Sequence, residues 1–395
     1  MISVEDLSKD VNPLSKYYSD FKVSDRILLT GHSHQAQPDC AKEGIIQCWK
    51  DASELADDKW ENVFAVADKI RIHLAELLDD DKDNIVLGQN THDLILRFLS
   101  SLDFKKRNKI ITTDGEFHTI RRQLDRLNQG FIEVVKVKRD PIETLPERLV
   151  KIMDTKTAAV MVSKVMFHDA SVVNGLSVVE TTCTKQGAKL LVDVYHALNA
   201  IQFSIKNEKL EDSFLVGGGY KYLQLGEGNC FMRIPPNEDY KPVITGWFSE
   251  FAALSEKKAP GEVLYGKKHW AFEGSTYDPV SHYRALKVFE FFMEQKLTPE
   301  LLQRINNHQK KIIESEFEKY DFNISTIKLK VVKDRGGFMT FETPYAGLIS
   351  KRLRDFNILT DYRGDYLRLG PAPYLTDNQL YRAIHCLKEV TNNLT

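Results

Sequence analysis

Cysteine, long apolar runs and net charge are all scarce in this chain of 395 residues. The five cysteines are odd in number and widely spread, and none forms a Cys-x-x-Cys pair. Neither a disulfide framework nor a zinc site is therefore indicated. No apolar run approaches the roughly 18 residues of a membrane span, and a formal charge of −2 gives no reason to expect a nucleic-acid partner. We expect a protein of a reduced, cytoplasmic compartment, without metal, membrane or nucleic acid.

The chain also lacks internal repeats and low-complexity segments, and its first residues do not resemble a secretory signal, because acidic residues come early and no apolar core follows. Apolar residues make up 42% and charged residues 28%, as in ordinary globular proteins. The length suffices for two domains. We predict an N-terminal arm at 1–40, a large domain at 41–265 and a small C-terminal domain at 266–395.

Short apolar runs alternate with amphipathic stretches from about residue 84. The runs lie at 85–88, 109–113, 131–137, 157–163, 189–193, 212–216 and 229–233. Alternation of such runs with helices predicts an α/β fold with a mainly parallel sheet covered by helices. Beyond about residue 265 the helices and strands are grouped differently, which predicts a smaller α+β domain.

A lysine in a glycine-dense turn carries the main functional signal. Lys221 lies in Gly217-Gly-Gly-Tyr-Lys-Tyr-Leu-Gln-Leu-Gly-Glu-Gly228, downstream of Asp193, which ends a predicted buried strand. Pyridoxal 5′-phosphate (PLP) needs an amine for a Schiff base and a carboxylate to keep its ring nitrogen protonated. Alone, Lys221 would pass for an exposed lysine in an ordinary turn. Together with Asp193 and His196 it predicts a PLP site, with Tyr220 as a second catalytic candidate that contacts the cofactor or donates a proton.

Other residues meet the remaining demands of PLP. Asn90 and Thr91 close a strand and open a helix, which suits the cofactor phosphate, although simple N-capping explains them equally well. The cofactor ring needs a stacking partner on the face away from the lysine. Phe117 and His118 begin the helix after the next strand, and we prefer His118, with Phe117 as the alternative.

A histidine and an arginine complete the predicted site. His196 has three readings: a bond to Asp193, a bond to the phenolic oxygen of PLP, or an ordinary structural role. Arg368 lies on a predicted strand near the C-terminus, and a planar guanidinium can grip a carboxylate at two points. Arg363 is its competitor for this role. The expected substrate is therefore a small molecule, an amino acid.

With these residues assembled, the chain resembles the class V, fold-type-I PLP enzymes, and among them the kynureninase family. That family shares Tyr-Lys-Tyr-Leu, here 220–223, and Asp-x-x-His, here 193–196. It also shares Arg-x-x-Pro-x-Pro, here 368–373, and a Gly-Trp pair, here 246–247. More loosely, residues 31–38 resemble the family's early Gly-Asn-Ser-Leu-Gly segment, with His32 and His34 in place of the asparagine and the leucine.

The resemblance implies a homodimer with active sites at its interface. Trp247 would contact the cofactor phosphate, and Thr276 would reach the phosphate of the neighbouring subunit. Lys221 would move the Cα proton. The implied reaction is hydrolytic Cβ–Cγ cleavage of L-kynurenine or 3-hydroxykynurenine to anthranilate or 3-hydroxyanthranilate and L-alanine, as in tryptophan catabolism.

The same scaffold also suits a class V Cβ–S lyase, a cysteine desulfurase or an aminotransferase. Desulfurases carry a mobile cysteine shortly before the carboxylate-binding arginine, and residues 345–370 contain none. Lys164 stands where the desulfurase pattern has an asparagine. A non-enzymatic protein of this fold would be expected to lose Lys221, Asp193 or Arg368, and all three are present.

Overall fold

Strands of three sheets organise the computed structural model, which describes residues 2–236 and 238–394. The strands are β1 Ile27–Leu28, β2 Ile85–Gly88, β3 Lys109–Thr113, β4 Glu133–Val137, β5 Thr157–Ser163, β6 Lys189–Asp193, β7 Phe214–Gly218, β8 Cys230–Arg233, β9 Lys328–Leu329, β10 Met339–Glu342, β11 Ile358–Leu359, β12 Asp361–Arg363 and β13 Tyr366–Leu369.

Helices flank these strands. They are α1 Cys40–Leu55, α2 Lys59–Leu78, α3 Thr91–Ser100, α4 His118–Leu127, α5 Leu145–Lys151, α6 Ser177–Gln186, α7 Ile205–Glu208, α8 Val280–Glu294, α9 Pro299–Lys319, α10 Ala346–Leu353 and α11 Asp377–Asn392. Short 3-10 helices lie at Glu5–Ser8, Ser15–Tyr17, Ala56–Asp58, Lys82–Asn84, Ile142–Thr144, Trp247–Ala253, Lys268–Phe272 and Arg354–Phe356. Among the described residues, none of the helices has the length and apolar character needed to cross a membrane.

The central sheet has seven strands in the order β2-β8-β7-β6-β5-β3-β4. Only β8 runs antiparallel to its neighbours, β2 and β7, and the other pairings are parallel. Every residue of β5 and β7 is buried, as expected for strands covered on both faces. The predicted α/β fold with a mainly parallel sheet is therefore confirmed.

Two boundaries differ from the sequence expectation for identifiable reasons. Apolar residues at helical spacing predict a continuous helical stretch at 42–79, but the structure has two helices there, because Ala56 has a φ of 49°, which an α-helix does not accommodate. The strand expected from residue 131 begins at Glu133, because β4 is an edge strand and Phe131 lies exposed before it.

The C-terminal part carries a four-stranded antiparallel sheet in the order β12-β13-β10-β9. The N-terminal segment joins this part directly, since β1 pairs in parallel with β11. Helix α8 packs against α1 and α2. The C-terminal part contacts the segment that follows β5, since the backbone N–H of Gly336 donates to the carbonyl of Ala170 at 2.8 Å.

Candidate active site

A cavity of about 240 Å³ opens at the carboxyl ends of the parallel strands. It brings together six of the residues predicted from sequence: Asn90, Thr91, Asp193, His196, Tyr220 and Lys221. The sequence order explains the meeting, because each residue ends a strand or follows one, and parallel strands end at the same edge of a sheet.

Glycines shape the turn that carries the lysine. A Cβ atom on Gly218 would lie 2.4 Å from the hydroxyl oxygen of Tyr195, and one on Gly219 would lie 2.7 Å from the Cβ of Leu225. Only glycine therefore fits at these two positions. The close packing fixes the path of the chain from β7 into Lys221.

Lys221 is 7% exposed, and its Nζ lies 2.5 Å from Nε2 of His196. Burial lowers the pKa of the Lys221 ammonium, and the nearby carboxylate of Asp193 acts in the opposite direction. Burial, followed by the charge of Lys221, also holds the pKa of His196 well below its usual range. The pair is arranged for a neutral imidazole that accepts a hydrogen bond from the lysine. Nδ1 of His196 is buried without a hydrogen-bond partner among the described residues.

Asp193 ends β6 beside the lysine. Its Oδ1 accepts a 2.8 Å hydrogen bond from the backbone N–H of Tyr195. Burial raises the pKa of the Asp193 carboxyl, whereas the Tyr195 N–H and the charge of Lys221 lower it. A buried carboxylate of this kind needs a cationic partner, and a protonated pyridine nitrogen would provide one.

The ring contacts of the cavity favour Phe117 over His118. The Phe117 ring lies 5.7 Å from Nζ of Lys221 and lines the cavity. Phe117 is the extended residue before α4, whereas His118, the first residue of α4, is exposed. It lines a separate cleft of about 680 Å³ together with His168 and Arg363. The structure therefore does not support the preference for His118 as the stacking residue.

Asn90 is confirmed as the N-cap of α3. Its Oδ1 accepts from the backbone N–H of Asp93, and its Nδ2 donates to the Asp93 carboxylate, both at 2.9 Å. The Asn90 side chain is thus engaged locally, while Thr91 and the preceding Gln89 also line the cavity. Capping and anion binding at the helix N-terminus are compatible.

Arg368 is buried on β13, just outside this cavity. Its Nη2 lies 2.6 Å from Oδ2 of Asp361, its cross-strand neighbour on β12, and its Nη1 donates to the backbone carbonyl of Phe167. Its charge contributes to lowering the pKa values of Lys221 and His196. The more exposed Arg363 pairs with the other oxygen of Asp361 at 3.0 Å. A substrate carboxylate at Arg368 would therefore share the guanidinium with Asp361.

Three residues named in the sequence analysis lie away from Lys221 within this chain. Trp247 is 44% exposed and packs on Phe248 and Phe251. Thr276 is exposed, and neither residue lines the cavity. Lys164 pairs with Glu208 at 2.7 Å and also lies outside the cavity. The contact of Trp247 with the cofactor phosphate, and that of Thr276 with the phosphate of a neighbouring subunit, stay predictions.

The cavity also contains residues that the sequence analysis did not assign. Tyr195 places its ring centroid 4.8 Å from Nζ of Lys221, and Ser163 faces Asp193 from the neighbouring strand. Both were within reach of the sequence, since one lies inside the Asp-x-x-His motif and the other ends a buried strand. Cys230 lines the wall, and burial raises the pKa of its thiol to about 12. This cysteine is therefore an un-ionised thiol at neutral pH.

The two histidines of the early segment, His32 and His34, each stack on an aromatic ring. His34 stacks on Tyr220 with ring centroids 4.7 Å apart, and His32 stacks on Phe338 at 4.5 Å. His32 is buried, whereas His34 is exposed and lies 3.7 Å from Glu227. The early segment therefore lies against the lysine loop.

Comparison with known proteins identifies the architecture. No family model matches the chain, and the search of curated proteins finds no significant match. Among solved structures, a C-DES mutant with glycine covalently linked to the PLP cofactor has a TM-score of 0.82 at 14% identity. This match covers 95% of this chain and 99% of that one. The complex of the cystine C–S lyase C-DES with cysteine persulfide has a TM-score of 0.79 at 15% identity, covering 94% and 99%.

The apo cysteine desulfurase of Thermococcus onnurineus NA1 is similar over 100% of this chain and 99% of its own, with a TM-score of 0.76 at 14% identity. The chain has the α/β fold of these enzymes. At such low identity the likeness establishes the architecture, and the chemistry has to be argued from the site.

Proposed function

We propose that this protein is a PLP-dependent enzyme in which Lys221 holds the cofactor covalently. The observation that carries the proposal is the meeting of the Lys221 amine and the Asp193 carboxylate in one cavity at the carboxyl edge of the sheet. The lowered pKa of Lys221 increases the neutral amine, which is the nucleophilic form. The presence of PLP-linked enzymes among the solved structures of this fold supports the same conclusion.

The residues of the cavity fit the parts of PLP. Asp193 would pair with the ring nitrogen, and Phe117 would stack on the ring. The unpartnered Nδ1 of His196 is available to bond a polar group of the cofactor. Thr91 and the N-terminus of α3 would receive the phosphate. The sequence resemblance implies that Trp247 contacts the phosphate and that, in a homodimer, Thr276 of the partner completes the phosphate site.

The proposed substrate is an amino acid altered at its β-carbon. PLP supplies the electron sink that lets the Cα proton leave and a bond at Cβ break. Lys221 would take and return the Cα proton once freed from the cofactor. Tyr220, next to it, would contact the cofactor or donate a proton. Arg368 would bind the substrate carboxylate. His196 would accept a hydrogen bond from the lysine and so hold its amine towards the cavity.

Two reactions at Cβ remain in competition. Cleavage of a Cβ–S bond is supported by the cystine C–S lyase among the solved structures of this fold, and we place it first. Sulfur transfer through a cysteine is disfavoured, because residues 345–370 contain none and Cys230 is held as a thiol. Hydrolytic Cβ–Cγ cleavage of kynurenine is the second candidate, supported by the motifs around Lys221 and Arg368.

A parallel product assay separates the two reactions. Purified, PLP-loaded protein is mixed with L-cystine, L-cysteine, L-kynurenine or 3-hydroxykynurenine, and sulfide, pyruvate, alanine and the anthranilates are quantified. Pyruvate with released sulfur would establish Cβ–S cleavage, and stoichiometric anthranilate and alanine would establish the hydrolase. A protein that binds PLP and yields none of these products would refute both reactions, and amino-group transfer to a 2-oxo acid would be tested next.

A further inference from the structure

A buried glutamate lies directly behind the candidate cofactor site. Glu116 is 1% exposed and sits in the turn between β3 and α4, one residue before Phe117. Its Oε1 accepts a 2.6 Å hydrogen bond from Thr113, and its Oε2 accepts a 2.5 Å hydrogen bond from Ser163. Neither catalytic reading above gives this side chain a role.

Ser163 links Glu116 to the cofactor wall. It ends β5, lines the cavity and is the register partner of Asp193 on β6. A single serine hydroxyl therefore stands between the Glu116 carboxyl and the strand position of Asp193. The charge of Asp193 also raises the pKa of Glu116, so the ionisation of one carboxyl group affects that of the other.

The charged groups around Glu116 leave it without a cation. No ion pair within 4.0 Å involves it among the residues that the structure describes. Arg139, whose side chain packs against Gly115, is engaged by Asp169 at 2.9 Å. Lys221 is bonded to His196, and His118 is exposed to solvent. A buried carboxylate without a cation is costly, so the neutral acid is favoured. Its proton would lie on Oε2 and be donated to the hydroxyl oxygen of Ser163, which can accept as well as donate.

We propose that Glu116 is a positioning residue that carries a proton, anchors Ser163 in the cavity wall and leaves Asp193 as the carboxylate that ionises. The proposal rests on the PLP site proposed above. It means that a residue outside the cavity helps to set the charge of the carboxyl group inside it. Consistent with it, burial raises the pKa of Glu116 to about 7, and the charge of Asp193 adds to the rise. Loss of this proton would place a second negative charge behind Asp193.

The chain supplies a matched control. Glu180 is also buried, its carboxylate also accepts from a serine, Ser213, and burial also raises its pKa. It lies on α6, away from the cavity. Glu116→Gln and Glu180→Gln thus make the same chemical change near the site and away from it.

The first readout is the pH dependence of Tm in the cofactor-free protein. A carboxyl with a raised folded pKa binds more protons folded than unfolded, so its contribution to stability falls as pH rises from its unfolded to its folded pKa. Glu116→Gln should remove part of the wild-type fall in Tm between about pH 4.5 and pH 7. In a double-mutant cycle with Asp193→Asn, the two changes in this fall should not add. An unchanged profile, or additive changes, would overturn the proposal.

The second readout is the absorbance of the PLP-loaded protein against pH. Removing the charge that Glu116 acquires above neutrality should move the midpoint of the cofactor transition to lower pH by about one unit, whereas Glu180→Gln should leave it in place. An unmoved midpoint in Glu116→Gln, or an equal shift in both variants, would contradict the assignment. If Glu116→Gln does not fold, Ser163→Ala is used instead. It removes a hydrogen bond that lowers the pKa of Glu116, so the Tm fall should extend to higher pH.

Failure of the PLP proposal would look different. A protein that takes up no PLP would show no cofactor absorbance in any variant. The cofactor-free Tm cycle would still decide whether the proton on Glu116 is coupled to the ionisation of Asp193 as proposed.

Discussion

Two buried basic side chains lie at or beside the candidate site, and they are held in opposite ways. Lys221 bonds to a neutral imidazole, and burial lowers its pKa. Arg368 is fixed by the carboxylate of Asp361 and by a backbone carbonyl. The contrast separates two tasks, because covalent chemistry needs an uncharged amine, whereas carboxylate recognition needs a permanent charge in a fixed direction.

Removing the lysine should have the largest effect. Lys221→Ala should lower turnover by at least roughly 10²–10⁴-fold, the range for loss of a positioned acid–base group, and should abolish the absorbance of lysine-linked cofactor. Tm should fall little, because the variant also removes a buried amine. Lys310→Ala is the matched control, since Lys310 is a buried lysine of α9 that is bonded to the backbone carbonyl of Gly336 and does not line the cavity. Unchanged turnover in Lys221→Ala would end the proposed mechanism.

Removing the arginine should weaken substrate binding while preserving cofactor attachment. Arg368→Ala should lower kcat/KM by a factor that corresponds to a loss of about 1.5–3 kcal/mol in transition-state stabilisation, the scale of a hydrogen bond to a charged group. The absorbance of the linked cofactor should persist. The comparison variant is Arg363→Ala, which removes the more exposed partner of Asp361 and should cost less. A larger loss in Arg363→Ala would transfer the carboxylate role to that residue.

Releasing the arginine from its partner should sharpen the contrast. In Asp361→Asn the guanidinium no longer shares its charge with an internal carboxylate, so KM should fall by roughly five-fold, or about 1 kcal/mol. Tm should also fall, because a buried charge loses its partner. A raised KM at constant kcat would mean that Asp361 orients Arg368 for the substrate and does not compete with it.

The smallest effect concerns the pH dependence of stability. A lysine with a lowered folded pKa binds fewer protons folded than unfolded, so its contribution to stability increases as pH rises from the folded pKa to the unfolded value. Cofactor-free wild type should therefore gain Tm relative to Lys221→Met as pH rises from about 7 towards the ordinary lysine value of about 10.4. A gap that is constant with pH would show that the Lys221 amine is not destabilised as an ammonium.

The sequence alone was sufficient to predict the central sheet and the site residues that follow its strands. Asp193, His196, Tyr220 and Lys221 lie close to strand ends, so their meeting follows from parallel topology. The choice between Phe117 and His118 was not available from spacing, because neighbouring residues at a helix start point in different directions.

Pairing between strands that are far apart or inconspicuous in the sequence could not be predicted either. The bond between Asp361 and Arg368 depends on the register of β12 and β13, and β12 is too short and too polar to stand out in the sequence. The pairing of β1 with β11 joins segments from opposite ends of the chain. The role predicted for Thr276 depends on a second subunit, which neither the strand pattern nor a single chain supplies.

The central claim, that Lys221 carries the cofactor, has a direct test. PLP-loaded protein is reduced with borohydride, digested, and its peptides are sequenced by mass spectrometry. The account predicts a stable pyridoxyl adduct on Lys221 and on no other lysine, with the adduct absent from Lys221→Ala. An adduct on a different lysine, or none in a protein that retains PLP, would contradict it.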